Sequence, residues 1–330
     1  MFAATQIRCA FSLILLTAGL GSLSVLDGCS RSSSKTIVVI PETTAQEIWE
    51  TEHAGVEAAV LGTRWKIYWN GPASEDEVDK QIDLVQKATN ERAGGIVLSP
   101  DHAVALTSVI RRALSSHVPV VITGSPLPIL HEAGLHQILN DNEESGRLAA
   151  ERLATLFDGK GTVAILGFNP DIVSTVQVTN ALSYEIQQNY PNIQIVARPK
   201  GSFRLGEMEA QAEEILRASP QLSAIVTIGI TSTRGAYIAL KNTDRYKTVK
   251  LIGCDQDLDL MYYLRRGEID SIVVQNTYEM GYDAIKSIQS QHEGRTFPEV
   301  TRVKPVLVTR ENIDSDAIQR LLTMDWRPVR

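Results

Sequence analysis

Three cysteines in 330 residues, with no C-x-x-C pair, leave little material for a disulfide framework or a thiolate metal cluster. Lysine and arginine nowhere gather into a run, and the formal net charge is −7, so the electrostatic footprint of a nucleic-acid binder is missing. Catalytic signatures are equally scarce. There is no G-x-S-x-G elbow. The stretch from Asp158 to Thr162 fails as a phosphate loop, because the glycine required five residues before Gly159 is absent and Gly161 follows Lys160. The six histidines are scattered, and His131 and His136, five apart, share no helical face, which reads as surface histidines rather than metal ligands. Carboxylates abound, but a hydrolytic pair would meet only in space. No catalytic residue, metal or cofactor is expected.

Long apolar runs are confined to the N-terminus. Arg8 precedes an apolar stretch from Ala10 to Leu20, and no acidic residue stands before Asp27. A short positive end and a brief apolar region form the pattern of a secretory signal, too short for a membrane span. Residues 1–28 are therefore set aside as a signal peptide. The segment SVLDGC at 24–29 resembles the lipobox of bacterial lipoproteins, with Leu26 three residues before Cys29 and the small Gly28 just before it. Asp27 departs from the pattern, at a position normally small or apolar. The resemblance implies that Cys29 is lipidated and that residues 29–35, rich in serine, tether the protein to a bacterial membrane. A plain signal peptide cut nearby is the alternative. Cys254 is then the one cysteine left in the folded body, which must stand on its core without an internal disulfide.

The chain as a whole has the composition of an ordinary soluble protein, 43% hydrophobic and 22% charged, and its length of 330 residues predicts two domains. From Lys35 onward, ten short β-branched runs alternate with longer segments of helical period. They begin with Thr36–Ile40 and end with Ser271–Val274. Continuous apolar strands separated by helices are what parallel sheets covered on both faces require. The fold class is α/β, and splitting the strands near Asn140 makes two Rossmann-like lobes. Helix starts are explicit: Ser74 precedes Glu77 by three, a capping box leading into Val78, Ile82 and Val85. Leu148, Arg152 and Leu156 follow at helical spacing behind Glu143 and Glu144. Ligands of such sheets bind outside the carboxyl ends of the strands. The loops there carry hydroxyl, amide, carboxylate and aromatic groups suited to a small polar ligand held between two lobes.

A series of segments resembles one family in order: GPASEDEVD (71–79), QIDL (81–84), GIVL (95–98), VPVV (118–121), NDN (140–142), AAER (149–152), GCD (253–255), GEID (267–270) and VQN (274–276). Essentially the whole mature chain is similar to type 1 periplasmic binding proteins of the ribose-binding-like group, the sugar-capturing proteins of ABC importers. The resemblance implies two lobes joined by three crossover segments, the first comprising 36–139 plus 277–304 and the second 140–276 plus 305–330. It implies a non-enzymatic, extracytoplasmic monomer that closes on a carbohydrate-like ligand and delivers it to a membrane permease. A sensor of the same fold, signalling to a membrane kinase or chemoreceptor, is the alternative.

The resemblance also carries ligand residues over one at a time. Trp49 and Phe203 occupy the positions of aromatics that stack on the sugar, Asp255 that of an aspartate receiving sugar hydroxyls, and Gln275 that of a hinge glutamine. Gln46, in the loop before Trp49, and Ser125, where arginine or serine is common, complete the expected set. Asp255 has a second reading as the N-cap of the helix carrying Leu258 and Leu260, and Trp49 as a core residue of its helix. Three positions depart from the pattern: Gly124 replaces an aspartate, Val178 an arginine and Gly229 an asparagine. Each lost charge-assisted hydrogen bond is worth roughly 1.5–3 kcal/mol, about one to two decades of affinity. Either the ligand differs from a simple pentose or neighbours such as Asn169, Asp171, Ser174, Thr231 and Arg234 substitute.

Overall fold

The computed structural model describes residues 35–74, 77–127 and 132–325. The signal segment, Cys29 and the serine tether lie outside the described residues, as does His131. The elements run β1 (Thr36–Ile40), α1 (Ile48–Val60), β2 (Lys66–Trp69), α2 (Val78–Asn90), β3 (Gly95–Leu98), α3 (Ala103–Ser115), β4 (Val120–Gly124) and β5 (Leu135–Asn140). They continue through α4 (Asn142–Phe157), β6 (Lys160–Leu166), α5 (Val173–Asn189), β7 (Asn192–Ala197), α6 (Leu205–Ala218), β8 (Ala224–Thr227), α7 (Ile230–Asn242) and β9 (Lys250–Cys254). Last come α8 (Leu258–Arg265), β10 (Ser271–Val274), α9 (Thr277–His292), β11 (Val300–Val303), β12 (Val306–Thr309) and α10 (Asp316–Leu321).

Two six-stranded sheets result, ordered β11-β5-β4-β3-β1-β2 and β12-β10-β9-β8-β6-β7. All pairings are parallel except β10 with β12. In β1 the side chains alternate between two cores. Val38 and Ile40 pack with Leu84, Leu106 and Ile110 of α2 and α3, whereas Ile37 and Val39 pack with Val56, Ile285 and Ile288 of α1 and α9. The second sheet repeats the plan in β6, with Ala164 and Leu166 on one face and Val163 and Ile165 on the other. Burial on both faces is why these strands read as unbroken apolar runs. Strands β11 and β12 were not among the ten expected. They are edge strands whose VTRV and VLVT sequences are split by Lys304 and Pro305, and an edge, paired on one side only, tolerates polar residues such as Arg302.

The chain crosses between sheets three times, after β5, after β10 and between β11 and β12. These crossovers are lashed together: Asn140 Nδ2 donates to Gln275 Oε1, and Asp141 N–H donates to the Val303 carbonyl at 3.0 Å. Two of them lead straight into capped helices. Asp141 accepts from Glu144 N–H to start α4, and Asn276 accepts from Glu279 N–H to start α9, each at 3.1 Å. Arg152 of α4 holds Asp270 through two bonds of 2.7 and 3.0 Å, although the buried face of the helix runs through Ser145, Ala149, Ala150 and Leu153 rather than the expected Leu148, Arg152 and Leu156.

Two local expectations are corrected. Ser74 donates to the Glu77 carboxylate at 2.7 Å instead of capping a helical N–H; α2 starts only at Val78, and its buried face is Gln81, Leu84, Val85, Ala88 and Thr89. His136 is not a surface residue. Side chains alternate across a strand, and its position in β5 turns it inward to Ser287 Oγ (2.8 Å) and Thr301 Oγ1 (2.9 Å), where burial lowers its pKa to about 4.

Candidate functional site

At the carboxyl end of the first sheet, helix α1 brings Trp49 and Glu52 onto one face, three residues apart. Trp49 is buried, and its Nε1 has no partner among the described residues. Glu52 is wholly buried. Ser99, just past β3, donates its hydroxyl to Glu52 Oε2 at 3.3 Å and lies 2.8 Å from the Thr123 hydroxyl of β4, which also bonds the carboxyl. Glu52 Oε1 has no partner among the described residues. Burial pushes the carboxyl up to about 7 against the downward pull of Thr123 and Ser99. Gln81 of α2 braces the same end, donating to the carbonyls of Pro41 and Ser99 and accepting from Asp101 N–H.

The second sheet offers Asp255, which leaves β9 in the left-handed region at φ 66°, a conformation aspartate tolerates better than most residues. Its carboxylate accepts from the Cys254 thiol and the Gln275 amide, while its buried Oδ1 has no partner among the described residues. Burial raises the carboxyl to about 6, offset in part by those two bonds. The N-cap reading of Asp255 is corrected. Asp257 caps α8, accepting from Asp259 N–H and Leu260 N–H at 3.1 Å each.

The two halves touch through residues outside the expected ligand set. Gln256 donates from Nε2 to Thr51 Oγ1 of α1 at 2.8 Å, and Thr51 in turn bonds the Thr277 hydroxyl of α9. Glu47 Oε2, before α1, accepts the Leu258 N–H of α8 at 3.0 Å, where the positive end of the helix dipole favours a carboxylate. Arg234 pairs with Asp257 and stands 3.7 Å from Asp259; partial burial pulls it down, but Asp257, Asp259 and Glu47 more than offset this. Gln256 Oε1 is a further buried atom lacking a partner among the described residues. Such orphans are rare in native interiors, and four of them cluster on α1 and on the loop after β9.

Of the expected ligand residues, the structure links Asp255 to Gln275 directly and Trp49 to them through its own helix, since Thr51 of α1 meets Gln256. Ser125 follows β4 and Gln46 precedes α1, both partly exposed. Phe203 is not drawn into the group: it stands on the loop between β7 and α6 with 67% of its surface exposed. Gly124 (φ 78°) and Gly229 (φ 100°) end β4 and cap α7, and a Cβ at either would meet no atom within 4 Å. Val178 lies in the core of the second sheet with Leu182 and Ile186. One step along α5, 100° round the helix, Gln177 accepts from Asn142 Nδ2 at 2.9 Å beside the first crossover. Two proposed substitutes are engaged elsewhere, Arg234 with Asp257 and Asp171 with Lys200 at 2.6 Å. Among the described residues no group of histidine, cysteine, aspartate or glutamate is placed to hold a metal ion.

Two α/β lobes are joined by three crossovers, and buried polar atoms that lack a partner among the described residues lie beside the contacts between the lobes. The chain belongs to the periplasmic binding protein domain family, whose pattern its residues 37–296 match. It is 25% identical over 213 residues to the D-apiose import binding protein of Actinobacillus succinogenes, 64% of this chain and 67% of that one. It is 23% identical over 287 residues to the D-allose-binding periplasmic protein of Escherichia coli, covering 82% and 91%. Among solved structures, a carbohydrate transporter solute-binding protein of Agrobacterium radiobacter in complex with D-arabinose superposes with a TM-score of 0.78 at 25% identity, over 88% of this chain and 99% of that one. The fold is that of the type 1 periplasmic binding proteins, and the members compared are proteins that bind D-apiose, D-allose and D-arabinose.

Proposed function

We propose that this protein captures a sugar outside the cytoplasm by closing its two lobes and presents it to the permease of an ABC importer, without chemical turnover. The observation that carries this reading is Asp255, whose buried Oδ1 lacks a partner among the described residues while Gln275 and the Cys254 thiol hold the rest of the carboxylate. A sugar hydroxyl donating to that oxygen forms a charge-assisted bond worth roughly 1.5–3 kcal/mol. Trp49 supplies an apolar face and an indole N–H aimed at a ring or hydroxyl oxygen. Gln275, Gln46 and Ser125 orient the sugar, and Phe203 adds an aromatic face from the second lobe.

The lobes comprise 36–139 plus 277–304 and 140–276 plus 305–330 and turn about the three crossovers. Strand membership of the two sheets and the bonds of Asn140 and Asp141 support this division. Ligand shifts the balance toward closure only through contacts made in the closed form, and Glu47 and Gln256 add closed-form contacts of their own. The protein acts as a monomer, held to the membrane through lipidated Cys29.

Calorimetry and thermal shift on the full-length protein in detergent test the reading, using D-apiose, D-ribose, D-allose, D-arabinose and D-fucose against nucleosides and amino acids. A sugar at 100 times its dissociation constant is expected to stabilise the fold by about 2.7 kcal/mol. A response to nucleosides or amino acids alone would overturn the sugar assignment.

A further inference from the structure

Glu52 breaks the pattern of its own helix. The buried stripe of α1 runs through Trp49, Val56 and Ala59, and Glu52 stands in the middle of it with none of its surface exposed. A carboxyl there costs free energy that an aliphatic side chain would not, because a buried polar atom without a partner forfeits its hydration. Departures of this kind concentrate at functional sites. The neighbours of the carboxyl are hydroxyls rather than cations: Ser99 after β3 and Thr123 in β4 engage it, and Gly281 of α9 packs against its Cγ. Both hydroxyls belong to the carboxyl ends of central strands, where ligands of such sheets bind.

The residue after Thr123 is Gly124, where a Cβ would meet no atom within 4 Å and where φ of 78° disfavours any other side chain. A polar group for a ligand at this strand end therefore has to come from another element. Glu52 is bonded to the adjacent Thr123, and its Oε1 is uncommitted among the described residues. One helical turn toward the strand ends lies Trp49, whose indole N–H is uncommitted as well. Resting on the sugar-binding reading, we infer that Glu52 is a further specificity-determining residue of this site, engaging one ligand hydroxyl through Oε1 in the space that Gly124 leaves open. Ser99, held by Thr123, fixes the orientation of the carboxyl through Oε2, so that Oε1 is presented in one direction.

The test measures binding of D-apiose, D-ribose, D-allose and D-arabinose, and of the monodeoxy derivatives of whichever binds, to the full-length wild type, Glu52→Gln and Glu52→Leu. Wild type is expected to discriminate at least tenfold against one monodeoxy derivative. Glu52→Gln should lower affinity for the parent sugar about tenfold, and Glu52→Leu should abolish the discrimination while the melting temperature of the free protein does not fall. A packing role alone would move stability and leave the deoxy discrimination intact, which would overturn the inference. If Glu52→Leu does not fold, the near-isosteric Glu52→Gln carries the comparison. Wild type that binds none of these sugars refutes the sugar reading and this inference together; variants that bind as wild type refute the role of Glu52 alone.

Discussion

Asp255→Asn separates stability from binding in a single substitution. Burial raises the Asp255 carboxyl from 3.8 to about 6, a rise worth about 3 kcal/mol. Between those two pH values the folded protein keeps a proton that the unfolded chain has released. Stability therefore falls as pH climbs through this window and stays about 3 kcal/mol lower above it. Asparagine cannot ionise, tolerates φ of 66° and keeps an acceptor oxygen for Gln275. That rise already nets the Gln275 and Cys254 bonds against burial, so removing the charge recovers all of it. At pH 8 the ligand-free variant should thus be about 3 kcal/mol more stable than wild type, a rise in Tm of about 5 °C. Near pH 3.5 the two should converge. Affinity for the cognate sugar should meanwhile drop at least tenfold, because the acceptor aimed at its hydroxyl has lost its charge. Urea unfolding from pH 3.5 to 8, paired with calorimetry, reads both. A variant less stable than wild type at pH 8, or one with the same pH slope, would refute the account of Asp255 as a strained, ligand-directed carboxylate.

Removing the bond between Glu47 and Leu258 should loosen closure without touching the ligand: Glu47→Ala forfeits about 1 kcal/mol, about a fivefold shift toward the open form. Small-angle scattering of the ligand-free protein should then report a larger radius of gyration, and an unchanged radius would discard the latch. His136 titrates at 6.5 when unfolded but near 4 in its buried site, so stability is full above pH 6.5 and falls by about 3 kcal/mol as pH drops to 4. His136→Gln should flatten that acid limb in urea unfolding. Helices α1 and α9 touch backbone to backbone at Gly55, where a Cβ would lie 2.0 Å from the Tyr278 carbonyl; Gly55→Ala should lower stability by about 3 kcal/mol, and a thermal melt unchanged by it would mean that the helices can slide apart.

Much of the fold was legible because its determinants are local. A strand such as TIVVI at 36–40, apolar on both faces, has no plausible home but the middle of a covered sheet, and the ten runs of this kind were all realised within about two residues. Edge strands β11 and β12 escaped notice since half-solvated backbone relaxes the demand for apolar residues. Capping at Ser74 misled for a related reason: two side chains able to bond each other need not bond the backbone.

Site residues divide along the same line. Trp49, Asp255 and Gln275 could be nominated by resemblance and by their places at strand ends, and Gly124 and Gly229 by what they lack. Nothing in the sequence distinguishes Glu47, Glu52, Thr51 or Gln256 from surface polar residues of ordinary helices and loops. Their meaning arises from contacts over long separations, such as Gln256 with Thr51, 205 residues apart. By itself the sequence determined the alternation of strands and helices and the two sheets, and pointed to the strand carboxyl ends for the candidate site, since hydrophobic periodicity and turn chemistry act within a few residues. Only the tertiary structure decided which polar atoms are buried without partners and which bonds hold the lobes together, because desolvation depends on everything packed around an atom and not on its neighbours in the chain.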